Sequence, residues 1–240
     1  MEHGLNGFSP RALLYCYPCK PVKSVDSVFH PHMKNLIFDL GDVIIPIDLS
    51  APIRNFAMLA NLPEEDVRTL WQQHDFLNHY ETGLIDDQGF RDHVRQVIGE
   101  RNGTSVDWAD EVIDTAWNTV LLDLPVERIE RIKRLHGKYR LFLLSNTSPI
   151  HIRQVNRVLK SMNQPTLEEL FERVFYSYDV RMAKPSPDIY RHVLEQAGIN
   201  ADETAFFDDN AANIRAAAEL GIQAVQVVPP KTIIDYVEGL

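Results

Sequence analysis

The sequence predicts an α/β protein, a doubly wound parallel sheet with an α-helical domain inserted after its first strand. Three observations carry that expectation. Apolar runs without alternation, such as Leu141-Phe142-Leu143-Leu144, read as strands buried on both faces. From Pro125 onward such runs alternate with amphipathic stretches of helix length, which implies crossover connections and parallel pairing. Between Leu49 and Leu122 there are helical signals and no convincing strand.

In chain order, Asn35-Leu36-Ile37-Phe38 is the first strand. Ser50 is positioned to cap a helix holding Ile53, Phe56, Ala57, Leu59 and Ala60. Pro63 opens the next helix, with Glu64, Glu65 and Asp66 at its positive end. Asp86–Ile98 and Val106–Val120 read as two further amphipathic helices. After the insertion come a helix over Pro125–His136, a strand over Arg140–Leu144, a helix over Ile150–Met162 and a short strand at Val174–Tyr176. Pro187–Ala197 is a helix stopped by Gly198, and Thr204–Phe207 a strand. Asn210–Leu220 is a helix stopped by Gly221, Ile222–Val228 the last strand and Thr232–Val237 the last helix. The domain division is therefore residues 34–48 and 123–240 for the α/β core and 49–122 for the helical insertion.

Residues 1–33 read differently. They hold Gly4, Gly7, Pro10, Pro18, Pro21 and Pro31 and sustain no period, so a poorly ordered leader is expected. Met33, directly before the first strand, is a candidate natural start, which N-terminal sequencing of the native protein would test. The two cysteines, Cys16 and Cys19, have the spacing of half a zinc site, but His30 and His32 complete no ligand pattern, and a free pair is expected. Two cysteines also exclude a disulfide scaffold. The balance of 24 Lys and Arg against 34 Asp and Glu gives a formal charge of -10, which disfavours nucleic acid as a partner. No stretch reaches the roughly 18 apolar residues of a membrane helix, so no membrane partner and a cytoplasmic location are the default expectations.

In doubly wound sheets ligands sit beyond the carboxyl ends of the strands. That rule gathers Asp39–Val43, Ser145-Asn146-Thr147, the loop with Lys184, and Asp208-Asp209 around one crevice. Three carboxylates there repel one another unless a cation or a proton relieves them. Oxygen donors suit a hard ion such as Mg2+, and a lysine with a hydroxyl suits a phosphoryl group. A carboxylate beside the ion can attack phosphorus and carry the group as an aspartyl-phosphate.

Those segments carry a family resemblance. Leu36-Ile37-Phe38-Asp39-Leu40-Gly41-Asp42-Val43 resembles the first motif of the haloacid dehalogenase (HAD) superfamily, and Phe142-Leu143-Leu144-Ser145-Asn146-Thr147 its second. Lys184-Pro185-Ser186-Pro187-Asp188-Ile189-Tyr190 is similar to the third, and Phe206-Phe207-Asp208-Asp209-Asn210-Ala211-Ala212-Asn213-Ile214 to the fourth. The resemblance implies a Rossmann-like core with a helical cap. It also implies Asp39 as nucleophile and Mg2+ ligand, the Gly41 carbonyl as a second ligand, and Asp209 as the acidic ligand of the fourth motif. Asp208 would be a ligand or an orienting neighbour. Ser145 and the Asn146 N–H would hold the phosphoryl group, and Lys184 would neutralise it and Asp39.

One position departs from the pattern. Most phosphatases of the superfamily carry a second Asp two residues after the nucleophile as general acid and base, and here that residue is Gly41. Asp42 is the nearest acid, on a neighbouring loop position. The Asp-Leu-Gly form is similar to a bacterial branch of sugar-phosphate phosphatases that act on glucose 1-phosphate, whose leaving group needs less help. His79-Tyr80-Glu81-Thr82-Gly83-Leu84-Ile85 extends that likeness into the insertion. His74, His79, Tyr80 and Glu81 are candidates for substrate selection, while Trp71, Trp108 and Trp117 are expected to pack. The function expected is Mg2+-dependent removal of phosphate from a small metabolite, a sugar phosphate foremost. A 2-haloacid dehalogenase and a non-catalytic phosphosugar-binding protein are the alternatives.

Overall fold

The computed structural model describes residues 32–73 and 75–240. The expectations for the leader, for Cys16 and Cys19 and for His74 fall outside those residues.

Five parallel strands form one sheet: β1 (Asn35–Phe38), β2 (Arg140–Ser145), β3 (Arg173–Tyr176), β4 (Thr204–Asp208) and β5 (Gln223–Gln226), in the order β3-β2-β1-β4-β5. β1, the most central, is buried at every residue. Its Ile37 lies between Phe142 of β2 and Phe206 of β4, and Phe38 between Leu143 and Phe207. Such strands have no solvent face to reserve for polar residues, which is why they read as unbroken apolar runs. After β1 the sheet grows outward in both directions, so a crevice opens at the carboxyl end of β1 between β2 and β4.

The insertion consists of α1 (Ala51–Ala60), α2 (Glu64–Gln73), α3 (Phe76–Glu81), α4 (Asp87–Asn102) and α5 (Asp110–Asn118). Their apolar faces form a cluster around Phe56, Val67, Trp71, Tyr80, Phe90, Ile98 and Trp117, which Ile150 joins from outside the insertion. A second cluster, with Ile37, Phe142, Phe175, Ile189, Tyr190 and Phe206, lies on the sheet. The chain enters and leaves the insertion side by side. Ile47 bridges Leu121, the Asp48 N–H donates to the Val120 carbonyl at 2.8 Å, and the Leu122 N–H donates to the Pro46 carbonyl at 3.0 Å.

The remaining helices are α6 (Val126–Lys133), α7 (Pro149–Ser161), α8 (Leu167–Leu170), α9 (Ser177–Val180), α10 (Pro187–Ala197), α11 (Ala211–Glu219) and α12 (Ile233–Tyr236). Several boundaries differ from the sequence expectation for local reasons. Ser50 does not cap α1; its hydroxyl instead donates to Asp48 Oδ1 and accepts from Arg54. α5 starts at Asp110, four residues later than expected; Ser105–Ala109 is not helical, though Val106 and Trp108 still pack on the helical cluster. The last strand is only Gln223–Gln226. α3 ends at Glu81, and the chain then turns through Thr82 and Gly83. The cap of α7 is Ser148, whose Oγ accepts from the His151 N–H at 3.4 Å.

Candidate active site

Asp39 follows β1 directly, its N–H donating to the Phe207 carbonyl of β4 at 2.9 Å. That bond continues the sheet ladder by one step and fixes the carboxylate at the mouth of the crevice. Asp39 is only 8% exposed. Its Oδ1 accepts from the Leu40 N–H at 2.7 Å and from Lys184 Nζ at 2.7 Å, and Oδ2 takes part in neither contact. Burial is the largest influence on its proton affinity and raises it, Lys184 opposes that, and the Asp208 charge raises it further.

Lys184 is buried and its ammonium has three acceptors: Asp39 Oδ1, Asp208 Oδ2 at 2.7 Å and the Leu144 carbonyl at 3.1 Å. Burial alone would lower its pKa, but Asp39 and Asp208 together outweigh it, and the ammonium is retained. Its backbone is clamped by Asn146, whose Oδ1 accepts from the Lys184 N–H at 2.9 Å and whose Nδ2 donates to the Lys184 carbonyl at 2.8 Å. The loop after β2 thus positions the lysine, and Asn146 is left to meet a ligand through its main chain. Ser145, nearly fully buried, makes only a long hydroxyl contact to the Asn146 carbonyl at 3.4 Å. The next residue, Thr147, is tied to Ser177 of α9 in both directions: its N–H donates to the Ser177 Oγ at 3.0 Å, and that hydroxyl donates to the Thr147 carbonyl at 3.3 Å.

The two acids of the fourth motif have different environments. Asp208 is fully buried, and both of its oxygens are engaged. Oδ1 accepts from the Asn210 N–H at 2.8 Å, Oδ2 from Lys184, and Asn213 Nδ2 lies 3.0 Å from each. That set makes Asp208 an anchor for Lys184 rather than a group with a free edge. Asp209 is half-buried, with its carbonyl held by Gln226 Nε2 at 2.8 Å. Burial, and then the Asp208 charge, raise its pKa.

Carboxylate oxygens of Asp39, Asp208 and Asp209 lie within 4.8 Å of one another, with Lys184 as the ammonium between two of them. Three carboxylates against one cation leave an excess of negative charge, and an all-oxygen donor set of that kind fits a hard divalent ion. Asp39 and Asp209 have edges to offer it, and the Gly41 carbonyl, which accepts from the Val43 N–H at 2.6 Å, has a second lone pair.

Sequence reasoning therefore names residues that the fold brings to one crevice: Asp39, Gly41, Ser145, Asn146, Lys184, Asp208 and Asp209. Asp42 is elsewhere employed. It adopts a left-handed backbone at φ 52°, its N–H donates to the Ile45 carbonyl, and its Oδ1 accepts from the Ile47 N–H at 3.1 Å. Its carboxylate closes the turn after β1. Reading by motif missed two partners, Asn213 and Ser177. Asn213 sits five residues after Asp208, where one turn of α11 brings its amide back to the carboxylate, so spacing alone contained that signal. Ser177 carried none.

Comparison with known proteins places the chain. Residues 33–221 match the family model for haloacid dehalogenase-like hydrolases. A D-ribitol-5-phosphate phosphatase of Bacteroides thetaiotaomicron is 26% identical over 195 residues, which are 81% of this chain and 91% of that one. A HAD family enzyme of the same species, solved in complex with magnesium and inorganic phosphate, is 34% identical at a TM-score of 0.73, covering 83% of this chain and 96% of its own. An L-2-haloacid dehalogenase shares the fold at a TM-score of 0.58 with 17% identity, covering 86% of this chain and 97% of its own. With the four motifs in order at the carboxyl ends of a β3-β2-β1-β4-β5 sheet, the chain belongs to the haloacid dehalogenase-like hydrolases.

Proposed function

We propose that this hydrolase is a Mg2+-dependent phosphatase of small phosphorylated metabolites, phosphorylated carbohydrates and polyols foremost, working through an aspartyl-phosphate on Asp39. The observation that carries the reading is the buried Asp39–Lys184–Asp208 arrangement with Asp209 beside it. Attack on carbon by a carboxylate requires no such excess of acids, whereas phosphoryl transfer with a divalent ion does. The relatives add support. One is named for D-ribitol 5-phosphate, and a Thermotoga maritima protein 28% identical over 67 residues is named for phosphorylated carbohydrates.

In this reading Leu40 and Lys184 orient the Asp39 carboxylate, which attacks phosphorus. The ester bond to the departing oxygen breaks, and water then displaces the phosphoryl group from Asp39. Lys184 and the main-chain N–H after Ser145 face the charge on the transferring group. Asp39, Asp209 and the Gly41 carbonyl would hold Mg2+, with Asp208 fixing Lys184 behind them. When bound, the ion neutralises charge shared by the nucleophile and the phosphate oxygens. Residues 49–122 would act as a cap over the crevice that excludes bulk water.

The test is a panel of D-ribitol 5-phosphate, glucose 1-phosphate, glucose 6-phosphate and p-nitrophenyl phosphate with Mg2+, beside 2-chloropropionate. Phosphate release from the esters is expected. Chloride release without phosphate release would replace this reading with dehalogenation.

A further inference from the structure

The loop after Asp39 is wound tightly on itself. The Leu40 carbonyl accepts from the Ile44 and the Ile45 N–H, each at 2.9 Å, and the Ile45 carbonyl accepts from the Asp42 N–H at 2.8 Å. With the Val43 N–H on the Gly41 carbonyl, every N–H from Asp42 to Ile45 is used within the loop. The Val43 and Ile44 side chains are fully buried, and their carbonyls are the loop's remaining acceptors. Arg128, in the first turn of α6, meets both: its Nη1 donates to the Val43 carbonyl at 3.1 Å and lies 3.5 Å from the Ile44 carbonyl. Among the described residues no other donor is bonded to either oxygen. The guanidinium is half-buried; burial pulls its pKa down, and the Asp42 charge opposes that. It also lines a cavity of about 450 Å3 together with Asp42, Asp209, Gln226 and Lys231. The same side chain therefore holds the loop that carries the Gly41 carbonyl and borders the space beside Asp209.

We propose that Arg128 is a positioning residue for Mg2+: by holding the Val43 and Ile44 carbonyls it fixes the turn after β1, so that the Gly41 carbonyl and the Asp39 carboxylate stay aimed at one ion. The inference rests on the Mg2+ site of the phosphatase reading above. Asp39 is held on one side by its bond to β4, and the peptide that carries the Gly41 oxygen lies between that anchor and the carbonyls that Arg128 holds. Without the guanidinium, water from the cavity can still reach those carbonyls, but nothing ties them to α6. The loss therefore falls on the aim of the Gly41 carbonyl more than on the fold. Groups that orient a metal's ligands without touching the metal are typically worth 10–100-fold in affinity. Charge alone would act in the opposite sense, since a guanidinium repels a divalent ion.

The experiment is calorimetric titration of Mg2+ into the metal-free full chain, with the metal-free melting temperature measured beside it. Arg128→Met is expected to weaken Mg2+ binding about tenfold. Arg128→Lys, which keeps the charge but not the planar fork, should fall between that variant and the wild type. In turnover of D-ribitol 5-phosphate the Mg2+ concentration giving half the maximal rate should rise by the same factor, with kcat recovering as Mg2+ saturates. Unchanged Mg2+ affinity in Arg128→Met, with or without a lower melting temperature, would overturn the proposal and make the contact purely structural. Tighter binding in Arg128→Met, with wild-type affinity in Arg128→Lys, would overturn it in favour of simple charge repulsion. If Arg128→Met does not fold, Arg128→Lys decides: weaker binding at equal charge supports positioning, and wild-type binding overturns it. A wild-type chain that binds Mg2+ but releases no phosphate refutes the phosphatase reading and leaves the role of Arg128 to the titration. A wild-type chain that binds no Mg2+ overturns both.

Discussion

Lys184 is the residue on which the site's charge balance turns. Removing its ammonium leaves Asp39 and Asp208 buried together without compensation. Breaking a buried pair in that way typically costs 3–5 kcal/mol. Lys184→Met in the absence of divalent ions is therefore expected to lose about 3 kcal/mol in urea denaturation and to lack activity; a variant as stable as wild type would show that the acids are already protonated. Asp209 should behave in the opposite sense. It is half-buried and its charge is disfavoured by burial and by Asp208, so Asp209→Asn should leave the metal-free melting temperature unchanged or higher. The same variant should lose the rise in melting temperature that Mg2+ gives the wild type, since only an ion bound to the folded state stabilises it. A full Mg2+ shift in Asp209→Asn would remove Asp209 from the ligand set. These residues were legible in the sequence because each stands directly after an apolar strand or in a recognisable motif. The roles of Ser177 and the Asn146 side chain were not, because each consists of hydrogen bonds to partners that only folding brings near.

α7 joins the core to the insertion at the scale of single elements. Its His151 is 7% exposed, stacks on Trp117 of α5 at 4.8 Å between ring centres, and has Nδ1 3.1 Å from Asn118 Oδ1. Since that oxygen only accepts, Nδ1 carries the proton. Burial lowers the His151 pKa to about 3. The folded value lies below that of the unfolded chain, so between them the unfolded state binds the proton and the folded state does not. This contribution is complete above about pH 6.5 and is lost as pH falls; at pH 5 it amounts to a loss of about 2 kcal/mol. His151→Gln should flatten the fall in stability between pH 7 and pH 5 measured by denaturant melts. A variant as acid-sensitive as wild type would place the proton uptake elsewhere. Long elements were readable from their periods, and α10 was anticipated to the residue at both ends. α8 and α9, at four residues each, are too short to show a period and are held by their neighbours. The same holds for Ser50, a cap by type that Asp48 and Arg54 claim instead.

At the scale of the whole molecule, the chain crosses between the apolar cluster of the insertion and that on the sheet through a paired segment. The sequence leads one to expect a helical insertion between Leu49 and Leu122, where helical signals replace strands. The side on which the insertion approaches the crevice is not legible there, because it depends on how Tyr80 and Gly83 meet α7 and α9. Asp39 is fixed at the central switch point of the sheet and faces Lys184 and two acids. The most direct measurement is phosphate release from D-ribitol 5-phosphate by the wild-type chain and by Asp39→Asn, each with Mg2+ and after chelation. Release is expected from the wild type with Mg2+, and from neither Asp39→Asn nor the wild type after chelation. Release that persists in Asp39→Asn, or in the wild type after chelation, would contradict it.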